Sequence, residues 1–146
     1  MTAAFLLDTN VVSELRKQGS GRAHPGVVAW SDTLDDSAAF ISALTLFELE
    51  KGVLLAERRD KGQAEALREW LDGTVRRRFA ARVLPVDYPV CARAAALHLP
   101  DPRPVVDSLI AGTALVHGLT LATRNSGDFD SIAGLKLVNP WLQEPK

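Results

Sequence analysis

Four acidic residues carry the chemistry this sequence can be expected to do: Asp8, Glu48, Asp107 and Asp128, each near a change from an apolar run to a helical segment or turn. Carboxylates without a histidine or thiol beside them are hard oxygen donors, which suit Mg²⁺ or Mn²⁺ better than zinc or copper. Gathered in one place, they repel one another and require a counter-charge, which a divalent cation supplies. Such ions bind phosphate oxygens, and a pair roughly 3.5–4 Å apart activates water and stabilises the leaving oxygen in phosphodiester attack. His24, His98 and His117 share no spacing with one another or with the acids, so they read as surface or packing residues. Each acid also has a local explanation. Asp8 could cap the helix after it, although Thr9 or Asn10 fills that role as well, and Thr45-Leu46-Phe47-Glu48 matches a capping box. Asp107 could be an N-cap and Asp128 a turn residue beside Gly127. What favours a metal site is that all four fall at one edge of the fold the sequence implies.

That fold is α/β, with a central parallel sheet of about four to five strands flanked by helices, because short apolar runs alternate with longer stretches of helical period. Ala4 to Leu7 is the first strand, followed by a helix through Val11 to Lys17 that stops at Gly19-Ser20-Gly21. A short helix over 26–34 leads to a second strand over 39–44. Leu46, Leu49, Val53 and Ala56 share one helical face, and the segment 60–79 repeats the pattern, which predicts a helical hairpin. Arg82 to Val86 is the third strand, Tyr88-Pro89 opens a helix, and a second helix starts at Asp107 and stops at Gly118. A fourth strand over 119–123, a loop and a short last strand over 136–139 complete the chain. In an open parallel sheet, ligands collect beyond the carboxyl ends of the strands. Asp8 ends the first strand, Glu48 follows the second in the first turn of its helix, and Asp128 lies just past the fourth. Asp107 opens the preceding helix with Ile110, Ala111 and Ala114 on its own face, which points its carboxylate inward.

Composition narrows the alternatives. The 146 residues match one domain, 1–146, and 17 basic residues against 18 acidic ones give no general attraction to a polyanion. Arg58-Arg59 and Arg76-Arg77-Arg78 lie near helix ends where the dipole favours cations, though they could also hold a phosphate backbone. Trp30, Trp70 and Trp141 sit among apolar neighbours and are expected to pack. No cationic leader, membrane-length apolar run or zinc spacing is present, and the lone Cys91 has no disulfide partner, so a soluble, cytoplasmic protein without a membrane role is the expectation.

The segments LLDTNVVSEL, SALTLFELEKG, DSLIAGTALVHG and TRNSGDF followed by NP resemble the PIN-domain ribonucleases of bacterial toxin–antitoxin modules, the VapC and FitB group. The resemblance covers nearly the whole chain, in family order. It implies a PIN fold, Mg²⁺- or Mn²⁺-dependent cleavage of RNA, homodimerisation, and neutralisation by a cognate antitoxin. By residue, it places the metal site on Asp8, Glu48 and Asp107, with Thr123 and Asn10 as polar neighbours. Many relatives carry aspartate where this chain has Asn125, and the nearest acid here is Asp128. Asp128 is therefore expected to complete the site, with Asn125 orienting a neighbour through hydrogen bonds. Two other classes compete. Aspartate-nucleophile phosphatases want a second aspartate two positions after the first, where this chain has Asn10. A PIN-like module that binds RNA or protein without cutting would be favoured by failure to bind metal. Neither GxGxxG nor GxxxxGK[ST] occurs, which speaks against a nucleotide site.

Overall fold

The computed structural model describes residues 3–143. Five parallel strands form one sheet in the order β3-β2-β1-β4-β5: β1 Phe5–Leu7, β2 Ala39–Ser42, β3 Val83–Leu84, β4 Thr120–Ala122 and β5 Leu137–Val138. Because β2 and β3 extend the sheet to one side of β1 and β4 and β5 to the other, the order reverses between β1 and β4. At such a switch point the connections leave in opposite directions and open a crevice at the carboxyl ends.

Successive strand residues face opposite sides of a sheet, and here both sides are buried: Leu6 and Leu7 are 0% and 1% exposed. Leu7 packs with Val11, Trp30, Ile41, Val53 and Phe79 on one face, and Leu6 with Ile110, Ala114, Leu121 and Phe129 on the other. Trp30 meets Phe5 edge-on with ring centroids 5.3 Å apart, and Trp70 and Trp141 also pack against the first cluster, the packing role expected of the tryptophans.

Among the described residues seven α-helices wrap the sheet: α1 Thr9–Leu15, α2 Pro25–Asp32, α3 Ala43–Glu57, α4 Lys61–Trp70, α5 Arg76–Arg78, α6 Tyr88–Ala96 and α7 Val105–His117. Among the described residues no helix is long and apolar enough to cross a membrane. The expected hairpin is present as α3 and α4, and α4 passes through a π-helical turn, Leu71–Val75, into α5. Several boundaries differ from the sequence pattern for local reasons. The third strand stops at Leu84, before Pro85, which has no N–H to give a ladder. The first helix tightens into a 3-10 turn over Arg16–Ser20 and ends at Gly21, whose φ of 74° suits glycine. Helix α7 starts at Val105 rather than at Asp107 and ends, as expected, at Gly118 in the left-handed region. It lies close against α6: a Cβ added at Gly112 would stand 3.0 Å from the Val90 carbonyl oxygen and 3.1 Å from the Ala94 Cβ. That close approach packs α7, which carries Asp107, tightly against α6.

Candidate active site

Asp8 follows β1 directly and is the N-cap of α1, in extended backbone with φ −67° and ψ 158°. Its backbone N–H donates to the Ala122 carbonyl of β4 at 2.9 Å, so the residue is fixed at the switch point by both strands. One carboxylate oxygen accepts from the Thr9 N–H at 2.8 Å and the other from the Thr123 hydroxyl at 2.9 Å. The capping role left open to Thr9 or Asn10 therefore falls to Asp8, which caps α1 and faces the crevice at once. Thr123, fully buried at the end of β4, gives its one proton to Asp8 and accepts from the Asn125 N–H at 3.1 Å and the Asn10 side-chain amide at 3.4 Å. Its hydrogen-bonding capacity is then filled. The Asn10 side-chain oxygen Oδ1 in turn accepts from the Arg124 backbone N–H at 3.2 Å.

Glu48 is not part of a capping box. Helix α3 begins a turn earlier than the Thr45 motif suggests, because Ser42 at the end of β2 caps it by accepting from the Leu44 N–H at 3.0 Å. This places Glu48 in the second turn, not the first, where its side chain accepts from the Thr9 hydroxyl at 2.7 Å. The buried Thr45 hydroxyl lies 3.1 Å from the same Thr9 oxygen. Thr9, read from sequence only as a cap, thus links the helices carrying Asp8 and Glu48.

Asp107 occupies the first turn of α7 without capping it, half-buried, where the positive end of the helix dipole favours a carboxylate. Asp128 ends a 3-10 turn, Ser126–Asp128, and is exposed, as is Asn125. A cavity of about 210 Å³ is lined by Arg103, Pro104, Asp107, Asp128 and Phe129 among others. A larger surface groove, about 550 Å³ between Gln18 and Thr33, carries a single acid, Asp32, and none of the four.

Electrostatics ties these groups together. Burial holds the Asp8 carboxyl above its ordinary value, and the charges of Glu48 and Asp107 add to the rise, although the bonds from Thr123 and Thr9 oppose it. Asp107 is raised by burial first, then by Asp128 and Glu48. Asp8, Glu48 and Asp107 therefore share one field, with Asp128 acting on the Asp107 side. Among the described residues no three His, Cys, Asp or Glu side chains close into a ready-made ligating group. The acids are arrayed around the crevice as oxygen donors whose mutual repulsion a dication would relieve.

Arg78 and Arg58-Arg59 lie toward the other end of the sheet, whereas Arg76 lines a groove with Ala43, Leu46 and Phe47 at the start of α3. Arg78 pairs with Asp36 at 3.1 Å, both just before strands, and Arg58-Arg59 follow α3, which runs away from the carboxyl edge. Of the histidines, His24 caps α2 by accepting the Gly26 N–H at 3.1 Å, and His98 joins a loop network on the Asp107 side. From the sequence, Thr9 and Thr45 read only as caps and His98 as a surface or packing residue, and Arg103 carried no role.

Thr123→Val tests the Asp8 anchor, because it keeps the shape but strips a half-buried carboxylate of its hydroxyl donor. Urea unfolding in EDTA is expected to show a loss on the order of 1–3 kcal/mol. Unchanged stability would mean that Asp8 is held by its helix cap alone.

The family model described as PIN domain matches residues 5–135. The chain is 41% identical over 143 residues to Toxin FitB of Neisseria gonorrhoeae, covering 94% of this chain and 98% of that protein. It is 37% identical over 142 residues to VapC ribonuclease Y4jK of Sinorhizobium fredii, covering 94% and 97%. Among solved structures, FitAcB from Neisseria gonorrhoeae superposes with a TM-score of 0.82 at 37% identity, over 94% of this chain and 99% of that one. A toxin–antitoxin complex from Klebsiella pneumoniae gives 0.63 at 27%, over 95% and 98%. With the match spanning nearly the whole five-stranded α/β unit and its acid-lined switch point, the chain belongs to the PIN domain family.

Proposed function

We propose that this protein is an endoribonuclease of the toxin type, which hydrolyses RNA phosphodiester bonds with Mg²⁺ or Mn²⁺ held by Asp8, Glu48 and Asp107 and completed by Asp128. The observation that carries this reading is the arrival of Asp8, Glu48 and Asp107 from three separate elements at the sheet's switch point, close enough for their charges to act on one another. The names of relatives, a toxin and a VapC ribonuclease, support it. When bound, a divalent ion would supply Lewis acidity toward a phosphate oxygen and activate water. The protein's part is to hold the carboxylates for it. Thr123 and the Thr9 N–H orient Asp8, and the Thr9 hydroxyl orients Glu48. Orientation by such partners keeps ligands from having to be ordered when the ion arrives. The phosphatase alternative loses ground because both Asp8 oxygens are engaged and Asn10 is tied between Thr123 and Arg124.

As partners we propose an RNA substrate, a second copy in a homodimer, and a cognate antitoxin that blocks the crevice in the cytoplasm, by presenting a basic side chain to the same carboxylates. A toxin–antitoxin complex among the structural neighbours supports the last. Two experiments test the reading. Purified protein incubated with total RNA should generate new 5′ ends with Mn²⁺ and none with EDTA. Induction in cells should arrest growth, and co-expression of the small protein encoded beside it should restore growth. Intact RNA in Mn²⁺, with growth untouched by strong induction, would leave a binding module instead of a nuclease.

A further inference from the structure

Arg103 lies between Pro102 and Pro104 in the loop that delivers the chain from α6 to α7. Its guanidinium reaches in two directions: Nε donates to the Leu97 carbonyl at 2.9 Å, and Nη2 donates to the Ser131 hydroxyl at 3.1 Å. Ser131 lies three residues beyond Asp128. The Arg103 backbone N–H donates to His98 Nδ1 at 3.3 Å, so the His98 proton is on Nε2, which lies 2.9 Å from the Ser108 oxygen. Ser108, buried next to Asp107, gives its own proton to the Val105 carbonyl at 2.7 Å. One continuous network therefore runs from the segment after Asp128 to the residue after Asp107, and the two acids line the cavity it borders. The ion pairs among the described residues do not include Arg103, and its hydrogen bonds go to loop atoms.

We propose that Arg103 is a positioning residue: with His98, it clasps the Asp128 turn to the N-terminus of α7 and so sets the spacing of Asp107 and Asp128 for a divalent cation. The proposal rests on the metal-nuclease reading. Arginine suits the task because its rigid fork donates in two directions at once, which the single ammonium of lysine does not reproduce. Released from the clasp, the turn would have to be ordered by the ion itself, and that cost appears as weaker ion binding.

The test compares the full-length wild type with Arg103→Ala, Arg103→Lys and Ser131→Ala, by calorimetric Mn²⁺ titration and by cleavage rate against Mn²⁺ concentration. Arg103→Ala should weaken Mn²⁺ binding and raise the half-saturating Mn²⁺ concentration about tenfold, with kcat at saturating Mn²⁺ within about threefold of wild type. Arg103→Lys should recover only part of this. Ser131→Ala removes one exposed hydrogen bond and should give a shift of about two- to tenfold, which decides the matter if Arg103→Ala fails to fold. Wild-type Mn²⁺ affinity in the folded variants overturns the clasp. A fall in kcat with Mn²⁺ affinity intact also overturns it, since Arg103 would then act on the substrate. If the wild type itself neither binds Mn²⁺ nor cuts RNA, the nuclease reading falls and takes this proposal with it.

Discussion

Asp8→Asn and Asp107→Asn are each expected to lower RNA cleavage on the order of a thousandfold or more, while the metal-free proteins fold as well as wild type. The size follows from the several kcal/mol of charge stabilisation that a bound cation gives a transition state, at about 1.4 kcal/mol per tenfold in rate. Asparagine keeps the shape and, at position 8, remains a good helix cap, so the backbone has no reason to move. What it lacks is the charge and one acceptor oxygen, so the Thr123 hydroxyl must turn to another partner. The same charge is a burden to the metal-free fold, because burial outweighs the bonds from Thr123 and Thr9 and the Asp8 carboxyl sits above its unfolded value. Protonation is thus favoured in the folded state. This contribution stabilises the metal-free protein as pH falls from neutral through the raised value, is complete below the ordinary carboxylate range, and is lost as pH rises. Glu14, held low by the His24 N–H and Lys17 against the effect of its burial, and half-exposed Glu50, held low by Arg68, contribute the opposite sign at the acid end. Thermal melts in EDTA should therefore show wild type gaining stability on mild acidification, and Asp8→Asn melting higher at pH 7 with a flatter profile. Added Mn²⁺ should stabilise wild type at pH 7 and leave Asp8→Asn nearly unmoved. Wild-type cleavage in either variant would remove these carboxylates from the site. A wild-type melting profile in Asp8→Asn would show that its charge is not under strain.

The fold and the acids were legible because both are written in local pattern. Alternating apolar runs and helical periods give the parallel sheet, and a parallel sheet puts the ends of its strands at one edge. Asp8, Glu48 and Asp107 could then be assigned to that edge without coordinates. Of their hydrogen-bond partners, Thr123 came only through the family resemblance, and the bond from Thr9 to Glu48 not at all. Thr123 reaches Asp8 across 115 positions and Thr9 reaches Glu48 across 39, and no spacing rule links residues so far apart in the chain. Local rules also misassigned roles where two side chains competed for one task. Ser42 lies just before Ala43 and caps α3, so the Thr45–Glu48 capping box never forms and Glu48 is free to turn toward Thr9. At Asp8, cap and crevice residue are the same group, since a carboxylate has two oxygens and each can be used separately. Arg103 was hidden for another reason: its partners are a carbonyl and a serine, and neither marks a site in a sequence.

Asp128→Asn is expected to weaken Mn²⁺ binding about 10- to 100-fold and to slow cleavage at limiting Mn²⁺, whereas Asn125→Ala should change either by less than about threefold. Both residues are exposed in the same turn, so burial does not separate them. Their placement does. Asn125 meets the site through its backbone, whose N–H donates to the Thr123 oxygen at 3.1 Å, and alanine keeps that N–H. A neutral amide is also the poorer donor to a hard cation. Asp128 lines the cavity it shares with Asp107, and its charge is the first after burial in raising the Asp107 carboxyl. Two carboxylates that repel across a small cavity bind a dication more tightly than either does alone, because the ion removes the repulsion as it adds its own attraction. Removing the Asp128 charge should have a second consequence that does not depend on catalysis. The Asp107 carboxyl in metal-free protein should titrate lower, closer to its ordinary value, by carboxyl-detected NMR. Asn125→Ala should leave it where it is. An Asp107 titration unmoved by Asp128→Asn, together with wild-type activity across a Mn²⁺ series, would make Asp128 an ordinary turn residue and leave the site with three acids.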